Sequence, residues 1–230
     1  MSIPEEYKVV PIERREAEPW LLKKHYARRM PTIQYAFGLE EESEIVGVCI
    51  FGNPPTKWMN NGGIIFNDYS VDVLELNRLV VNDKLPRNTL TFFVTSCLQF
   101  LPKPVCIVSY ADPNADHHGY IYQALGWTYT GGSDTPWTWF DPNGGKHHDR
   151  SIRGPKGFTR GKFSEKRLLE QGWTRTKDKP KHRYIKFLGD KRQVREMTKH
   201  LKLPVLPYPK GANQRYDASY KPKQHNRFFV

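Results

Sequence analysis

Asp112 is the residue whose type and position best suit proton transfer. It closes a predicted buried strand, VCIVSYADP at residues 105–113, and a carboxylate at the end of a strand can take a proton from a reacting amine. The Asp-Pro step is also a turn signal, so the side chain could instead cap the element that follows. The sequence leaves both interpretations open.

Two pairs of adjacent histidines, with aspartates nearby, raise the question of a metal site. Neighbouring residues do not share a side of a helix or a strand, and the sequence lacks the ordered Cys and His spacing of a zinc site. A metal therefore stays unassigned, and its expected ligands, if one is bound, are His25 and Asp112. The histidine pairs and their acidic neighbours are His117, His118, His147, His148, Asp116 and Asp149.

Positive charge is concentrated in the second part of the chain, although the net charge of the whole is +12. Residues 1–142 hold 12 Lys and Arg against 17 Asp and Glu, whereas residues 143–230 hold 24 against 7. Such an excess attracts polyanions, and a nucleic acid is the expected one. A solubilising or ribosome-directed tail is the alternative. The predicted phosphate contacts are Lys156, Arg160, Lys162, Lys181 and Arg183.

Hydrophobic periodicity predicts how the chain alternates between helices and strands. Its first part, in chain order, is a helix (14–29), a hairpin of strands (32–40 and 44–55), a strand (71–82), a buried helix (89–101), a strand (105–113), a helix (117–127) and two strands (127–131 and 136–140). A strand, helix, strand succession calls for a parallel pair with a right-handed crossover. Beyond residue 143 we expect a short helix (163–173), a strand (182–189), a helix (191–201) and an irregular tail.

The predicted fold class is α/β, of the α+β kind: a mixed, mostly antiparallel sheet with a central parallel strand pair and flanking helices. Residues 1–142 form the predicted catalytic core and residues 143–230 a basic nucleic-acid-binding extension. The first residues lack a secretory pattern and no apolar run reaches about 18 residues, so we expect a cytoplasmic chain without a membrane span. Cys49, Cys97 and Cys106 are expected to be buried free thiols.

Two stretches resemble the acyl-CoA site of the GNAT acyltransferase superfamily. LNRLVVNDKLPRNT (76–89) is similar to the segment that binds the pyrophosphate of acyl-CoA at a helix N-terminus, although it contains no glycine. The resemblance implies an acyl-CoA cofactor held by Arg78, Arg87, Asn88 and Thr89. The second stretch, VCIVSYADPNADHHGYIYQALGWTYTG (105–131), implies that Tyr122 lies near the thioester as a general acid.

A series of short motifs resembles the Mom family of phage DNA-modification proteins, which are divergent GNAT-like enzymes. The motifs are HYARRMP, GVCIFGNPP, NRLVV with LPRNT, and SYADP, within residues 18–185. The resemblance implies transfer of a small acyl or carbamoylmethyl-type group to N6 of adenine in double-stranded DNA, which blocks restriction enzymes. It implies catalytic roles for His25, Tyr26, Asp112 and Tyr122. Because the amine must lose a proton, we expect Asp112 to be the base and either tyrosine to be the acid.

The target amine of adenine lies inside the duplex, so an enzyme acting on it should flip the base and stack it on aromatic side chains. The candidates are Trp58, Trp137, Trp139, Phe140 and Trp173. Two other functions stay open on the sequence. One is a GNAT-like transferase acting on another modified base, on tRNA or on a protein amine, and the other is a non-catalytic DNA-binding protein with this fold.

Overall fold

The computed structural model describes residues 6–55, 63–83, 85–133, 137–148, 152 and 165–211. Its strands are β1 (Tyr7–Pro11), β2 (Tyr35–Glu41), β3 (Glu44–Gly52), β4 (Val73–Val81), β5 (Val105–Ala111), β6 (Thr128–Gly132), β7 (Trp137–Phe140), β8 (Lys146–His148), β9 (Thr174–Lys177) and β10 (His182–Leu188). Its α-helices are α1 (Arg14–Pro19), α2 (Thr89–Gln99), α3 (Tyr120–Ala124), α4 (Glu165–Glu170) and α5 (Lys191–His200).

Seven strands form one mixed sheet in the order β1-β2-β3-β4-β5-β10-β6. Only β4 and β5 run parallel among these neighbours, and α2 connects them. The hairpin predicted from the charged turn is confirmed as β2 and β3, where Glu42 and Ser43 take the left-handed conformation of a two-residue turn. The structure therefore confirms the mostly antiparallel sheet with one central parallel pair.

The basic half of the chain supplies one strand of this sheet. β10 lies between β5 and β6, with Ile185 paired to Val108 on one side and to Thr128 on the other. The division at residue 142, which the charge distribution suggests, thus falls between strands that share hydrogen bonds. A strand from the predicted extension completes the sheet of the predicted core.

Helices cover both faces of the sheet. On one face, Phe93 of α2 packs in the same core as Ile107. The next residue along β5, Val108, points to the other face because side chains alternate along a strand. There it packs with Met197 of α5, and α1 contributes Ala17 to a neighbouring cluster. The three cysteines are buried free thiols, as predicted.

A second, small sheet follows β6 and has the order β8-β7-β9. The predicted strand at residues 136–140 belongs to this sheet, since β7 pairs with β8 and β9. In the order of the chain, the three strands of the small sheet thus come after β6 and before β10, two neighbouring strands of the main sheet. In the part of the chain that the structure describes, none of the helices has the length and apolar character needed to cross a membrane.

Two predicted helices in the first part of the chain are much shorter than the sequence suggested. The helix predicted for 14–29 contains Pro19, which lacks an amide donor, and its α-helical part gives way to a π-helical turn, Trp20–Lys24. The helix predicted for 117–127 is only α3. It begins after Gly119, whose φ is +80°, and a Cβ there would lie 2.3 Å from the Tyr184 ring. Only glycine fits this position.

Candidate active site

The parallel strands β4 and β5 separate near the centre of the sheet. Their paired residues end with Leu76 and Ser109, although both strands continue beyond them. On its other side β4 has a bulge, because the register with β3 passes from Leu76 to Arg78 and skips Asn77. A bulge bends its strand and increases the twist. We call the resulting opening between the ends of β4 and β5 the strand wedge.

Tyr122 reaches the strand wedge from α3. Its hydroxyl oxygen lies 2.6 Å from Ser109 Oγ, and Ser109 Oγ donates to the carbonyl oxygen of Leu76 at 2.7 Å. A hydroxyl has one proton and a carbonyl can only accept, so Tyr122 donates to Ser109. Burial raises the pKa of the Tyr122 phenol, which therefore keeps its proton at physiological pH. Such a group suits a general acid and not a general base.

His25 follows the π-helical turn and is 5% exposed. Its Nδ1 accepts a hydrogen bond from the backbone amide of Ala27 at 3.1 Å, so the neutral ring carries its proton on Nε2. Burial lowers the pKa of His25 to about 3, and the positive charge of Arg78 adds to this effect. At physiological pH His25 is thus a neutral ring that carries its proton on Nε2.

Tyr26 stacks on His25 with ring centroids 4.5 Å apart and lies 5.4 Å from the ring of His117. It keeps 38% of its surface exposed. The surrounding protein atoms and the negative charge of Asp112 raise the pKa of the Tyr26 phenol to about 12. The phenol is therefore protonated and accessible to a substrate, which suits the acid role implied for it.

Arg78 lies close enough to His25 to lower the pKa of the imidazole. Its Nη1 donates to the backbone carbonyl of Asn77, and its buried Nε has no hydrogen-bond partner among the described residues. Burial, with the nearby charge of Arg29, lowers the pKa of the guanidinium. A partly buried cation with an unsatisfied donor favours an oxygen ligand or a developing negative charge.

Asp112 caps the 3₁₀ turn Pro113–Ala115 and is 9% exposed. Its Oδ1 accepts hydrogen bonds from the backbone amide of Asn114 at 3.0 Å and from the side-chain amide at 2.9 Å. Lys181 Nζ lies 2.8 Å from Oδ2. Burial alone would raise the pKa of Asp112, but Lys181 and Asn114 together hold that pKa below its usual value. The cap that the sequence left open is present, and the role of base stays a prediction.

Comparison with known proteins identifies the family of this chain. The model of the Mom protein family matches residues 6–210. The chain belongs to the Mom protein family. A relative named methylcarbamoylase mom, from Escherichia phage Mu, is 28% identical over 200 residues, which cover 81% of this chain and 77% of that protein. The mixed, mostly antiparallel sheet of this chain, with β4 and β5 as its central parallel pair, has the fold class that the sequence predicted.

Solved structures that match this Mom-family chain include two acetyltransferases. One is a GNAT family acetyltransferase from Elizabethkingia anophelis with acetyl-CoA bound, which is 10% identical, has a TM-score of 0.40 and covers 80% of this chain and 99% of its own. The other is polyamine N-acetyltransferase from Drosophila melanogaster, which is 12% identical, has a TM-score of 0.44 and covers 80% of this chain and 100% of its own.

The N-terminus of α2 lies where the acyl-CoA resemblance placed a pyrophosphate. Asn88 is the N-cap with φ 71°, and Arg87 beside it is exposed. Thr89 is fully buried, and its Oγ1 has no hydrogen-bond partner within the described ranges. A shallow groove extends from Asn88 along α2 to Leu125. Because the first-turn amides of a helix have no intrahelical acceptor, these residues fit an anion. Arg78, predicted with them, belongs to the surroundings of His25.

Two of the five residues predicted to contact DNA phosphates are described. Both form ion pairs or hydrogen bonds with other residues of the chain. Lys181 pairs with Asp112. Arg183 donates from Nε to Thr130 Oγ1 at 2.9 Å and from Nη2 to the Thr130 carbonyl at 3.0 Å. The other three, Lys156, Arg160 and Lys162, lie outside the described residues. The DNA contacts of all five stay predictions.

The histidine pairs do not gather into a metal site in the part of the Mom chain that the structure describes. No three His, Cys, Asp or Glu side chains there are arranged to hold a metal. His147 Nε2 instead lies 2.7 Å from Asp141 Oδ2, and the ring of His118 lies 5.8 Å from that of His182. Asp149 lies outside the described residues.

The aromatic residues predicted to stack a flipped base lie mostly around the small sheet. Trp139 is fully buried, and the Arg175 guanidinium lies 4.1 Å from the centroid of Trp137 and 5.3 Å from that of Trp139. The ring of Trp173 lies 5.0 Å from that of His147. Phe140 ends β7, and Trp58 lies outside the described residues. Three of these described aromatics thus belong to the central strand of the small sheet, and Trp173 directly precedes β9.

Sequence reasoning missed two residues that shape the site. Ser109 accepts the hydrogen bond of the Tyr122 hydroxyl. The position of Ser109, a polar residue inside an apolar strand, was the available signal. Asn114 holds Asp112 from two residues further along, and Asp-Pro-Asn is a spacing at which Asp side chains bond the backbone.

Proposed function

We propose that this protein transfers a small acyl or carbamoylmethyl-type group to N6 of adenine in double-stranded DNA and thereby protects the DNA from restriction enzymes. The observation that carries the proposal is the match over 200 residues to a relative named methylcarbamoylase. The resemblance of the sequence to the Mom family implies adenine N6 as the acceptor. The side chains at the strand wedge include acidic and basic groups that suit the transfer.

The acceptor amine needs help because its lone pair is delocalised into the purine ring. Asp112 is the proposed base that takes the proton of the amine. Its lowered pKa keeps the carboxylate ionised, so it can accept a proton. Its lowered pKa makes it a weak base, so proton removal should accompany bond formation and not precede it. Tyr122 or Tyr26 returns a proton to the leaving group, since both phenols stay protonated.

His25 and Arg78 have donors suited to negative charge that develops on an acyl oxygen. The tautomer of His25 presents Nε2–H, and the Arg78 guanidinium is positively charged with an unsatisfied Nε in the described structure. Preorganised donors of this kind stabilise a transition state, because they need no rearrangement when the charge forms. These two residues are therefore proposed to stabilise the oxyanion.

An acyl-CoA is the proposed donor where the transferred group is an acyl group. When bound, it would supply a thioester carbon for the amine to attack, with the CoA thiolate as the leaving group that takes the proton of the tyrosine. Arg87 and the backbone amides of Leu90 and Thr91 would hold its pyrophosphate, since the Thr89 amide already donates to the Pro86 carbonyl. The Thr89 hydroxyl, which has no partner among the described residues, lies at the same helix start. The groove along α2 offers room for the rest of the molecule.

Nucleoside mass spectrometry tests the proposed function. DNA from cells that express the chain is digested to nucleosides and compared with DNA from cells that express the Asp112→Asn variant. A deoxyadenosine adduct that appears only with the unchanged chain is the expected result. An adduct on a pyrimidine deoxynucleoside, or no adduct in the DNA at all, contradicts the proposal.

A further inference from the structure

The loop between β9 and β10 brings lysines to the mouth of the strand wedge. It reads Asp178, Lys179, Pro180 and Lys181, and it follows Lys177 at the end of β9. The loop links the small sheet to the main sheet, and its last lysine forms the ion pair with Asp112. Its position relative to the site is therefore set by a contact with a proposed catalytic carboxylate.

Hydrogen bonds on both sides fix the backbone of this loop. The Lys179 amide donates to Asn114 Oδ1 at 3.1 Å, and Asn114 Nδ2 donates to the Lys179 carbonyl at 3.3 Å. On the other side, the Ser133 amide donates to the Lys181 carbonyl at 2.8 Å. Asn114 belongs to the turn that Asp112 caps, so one short structure holds both the carboxylate and the loop.

Close packing adds to these bonds. Pro180 lies against Gly132, where an added Cβ would approach the Pro180 Cβ to 2.9 Å. Such a contact leaves the loop little freedom, so a ligand that binds it has little conformational entropy to remove.

The charges of the loop point to an anionic ligand. Its single acidic side chain, Asp178, accepts hydrogen bonds from Thr138 Oγ1 at 2.8 and 3.0 Å. Lys181 is paired with Asp112. Lys177 and Lys179 are both exposed, and no described carboxylate pairs with either. Two ammonium groups are thus presented to solvent on the segment that ends at Lys181, the partner of Asp112.

We propose that Lys177 and Lys179 bind phosphates of the DNA backbone beside the target adenine, and we call them the lysine clamp. This inference rests on the proposed function, in which DNA is the substrate. Lysine is a point charge that suits phosphodiester oxygens, and phosphate contacts fix the register of a duplex without reading its sequence. The anchored loop would place these contacts at a constant distance from Asp112.

The test measures binding of a short DNA duplex to the full chain over a range of salt concentrations. Each phosphate contact contributes about 0.9 to the slope of log affinity against log salt. The double variant Lys177→Gln, Lys179→Gln should bind more weakly and reduce the slope by about 1.8, with each single variant near half of that. The matched control is Lys8→Gln, an exposed lysine on β1 at the opposite edge of the sheet.

A double variant that keeps the slope of the unchanged chain overturns the lysine clamp, as does an equal change in Lys8→Gln. The lysine clamp is also overturned if the double variant changes the salt slope for duplex RNA but not for duplex DNA. Adduct formation by the unchanged chain is measured separately. If the slope falls while no adenine adduct forms, the clamp is supported and the proposed reaction fails. If the adduct forms and the slope does not change, the clamp fails alone.

Discussion

Lys181 Nζ lies 2.8 Å from Asp112 Oδ2, and this ion pair joins the basic half of the chain to the carboxylate proposed as the base. Lys181 stands directly before β10, and Asp112 directly after β5, its neighbour in the sheet. A residue of the basic half of the chain therefore lies within the candidate site. Removing either partner would leave the other charge partly buried, which is unfavourable.

Asp112→Asn should lower the rate of modification by about 10²- to 10⁴-fold, the usual contribution of a general base. The amide keeps an oxygen that can accept from Asn114, so the turn should survive. Adduct formed per unit time is the measurement, with duplex affinity measured in parallel and expected to persist. Asp72→Asn, an exposed aspartate before β4, is the control. An Asp112→Asn enzyme with the rate of the unchanged chain would remove Asp112 from the mechanism.

Tyr122→Phe should strongly reduce transfer if the phenol protonates the leaving group, and it should cost about 1 kcal/mol of stability through the lost bond to Ser109. Tyr7→Phe is the matched control, because Tyr7 is also buried and its hydroxyl donates to Glu41 of the adjacent strand β2 at 2.6 Å, at the edge of the sheet away from β5. Both variants should lose similar stability in urea unfolding, whereas activity should fall only in Tyr122→Phe. Equal activity in the two would assign Tyr122 to packing.

The stability of the protein should fall on acidification because of His25. Its pKa is about 3 when folded and about 6.5 when unfolded, so between these values the unfolded chain binds a proton that the folded chain resists. The stabilisation is complete above pH 6.5 and is lost as the pH falls, by about 2 kcal/mol between pH 7 and pH 5.

The His25→Asn variant provides the comparison for this pH effect, since its side-chain oxygen can still accept from Ala27. Free energies of unfolding measured at pH 7 and pH 5 should differ less in the variant than in the unchanged chain. Parallel losses in the two proteins would show that other groups cause the acid sensitivity.

Arg87→Gln should weaken acyl-CoA binding by about tenfold or more, the effect of losing a charge-assisted hydrogen bond to phosphate. Calorimetric titration with an acyl-CoA measures it, and duplex affinity should not change. Arg192→Gln is the control, because Arg192 is an exposed arginine in the first turn of another helix, α5. Loss of binding in both variants, or in neither, argues against the pyrophosphate site.

Local pattern determined much of the fold. The apolar runs of β2 and β3 and the charged turn between them predicted the hairpin, and a strand, helix, strand order predicted the parallel pair β4 and β5. The extent of the first helix was harder to predict, because Pro19 and the π-helical turn end it before His25 and Tyr26, which lie in the turn that follows, whereas the predicted helix contained both.

The sequence by itself determined the mixed sheet, the polarised charge, the Mom motifs and the polar residues from which a site could be built. Only the tertiary structure decided that β10 enters the sheet between β5 and β6, that Lys181 meets Asp112, and that Tyr122 donates to Ser109. The physical reason is distance along the chain. Periodicity reports which side of its own element a residue faces, whereas these contacts join elements whose pairing depends on the packing of the whole sheet.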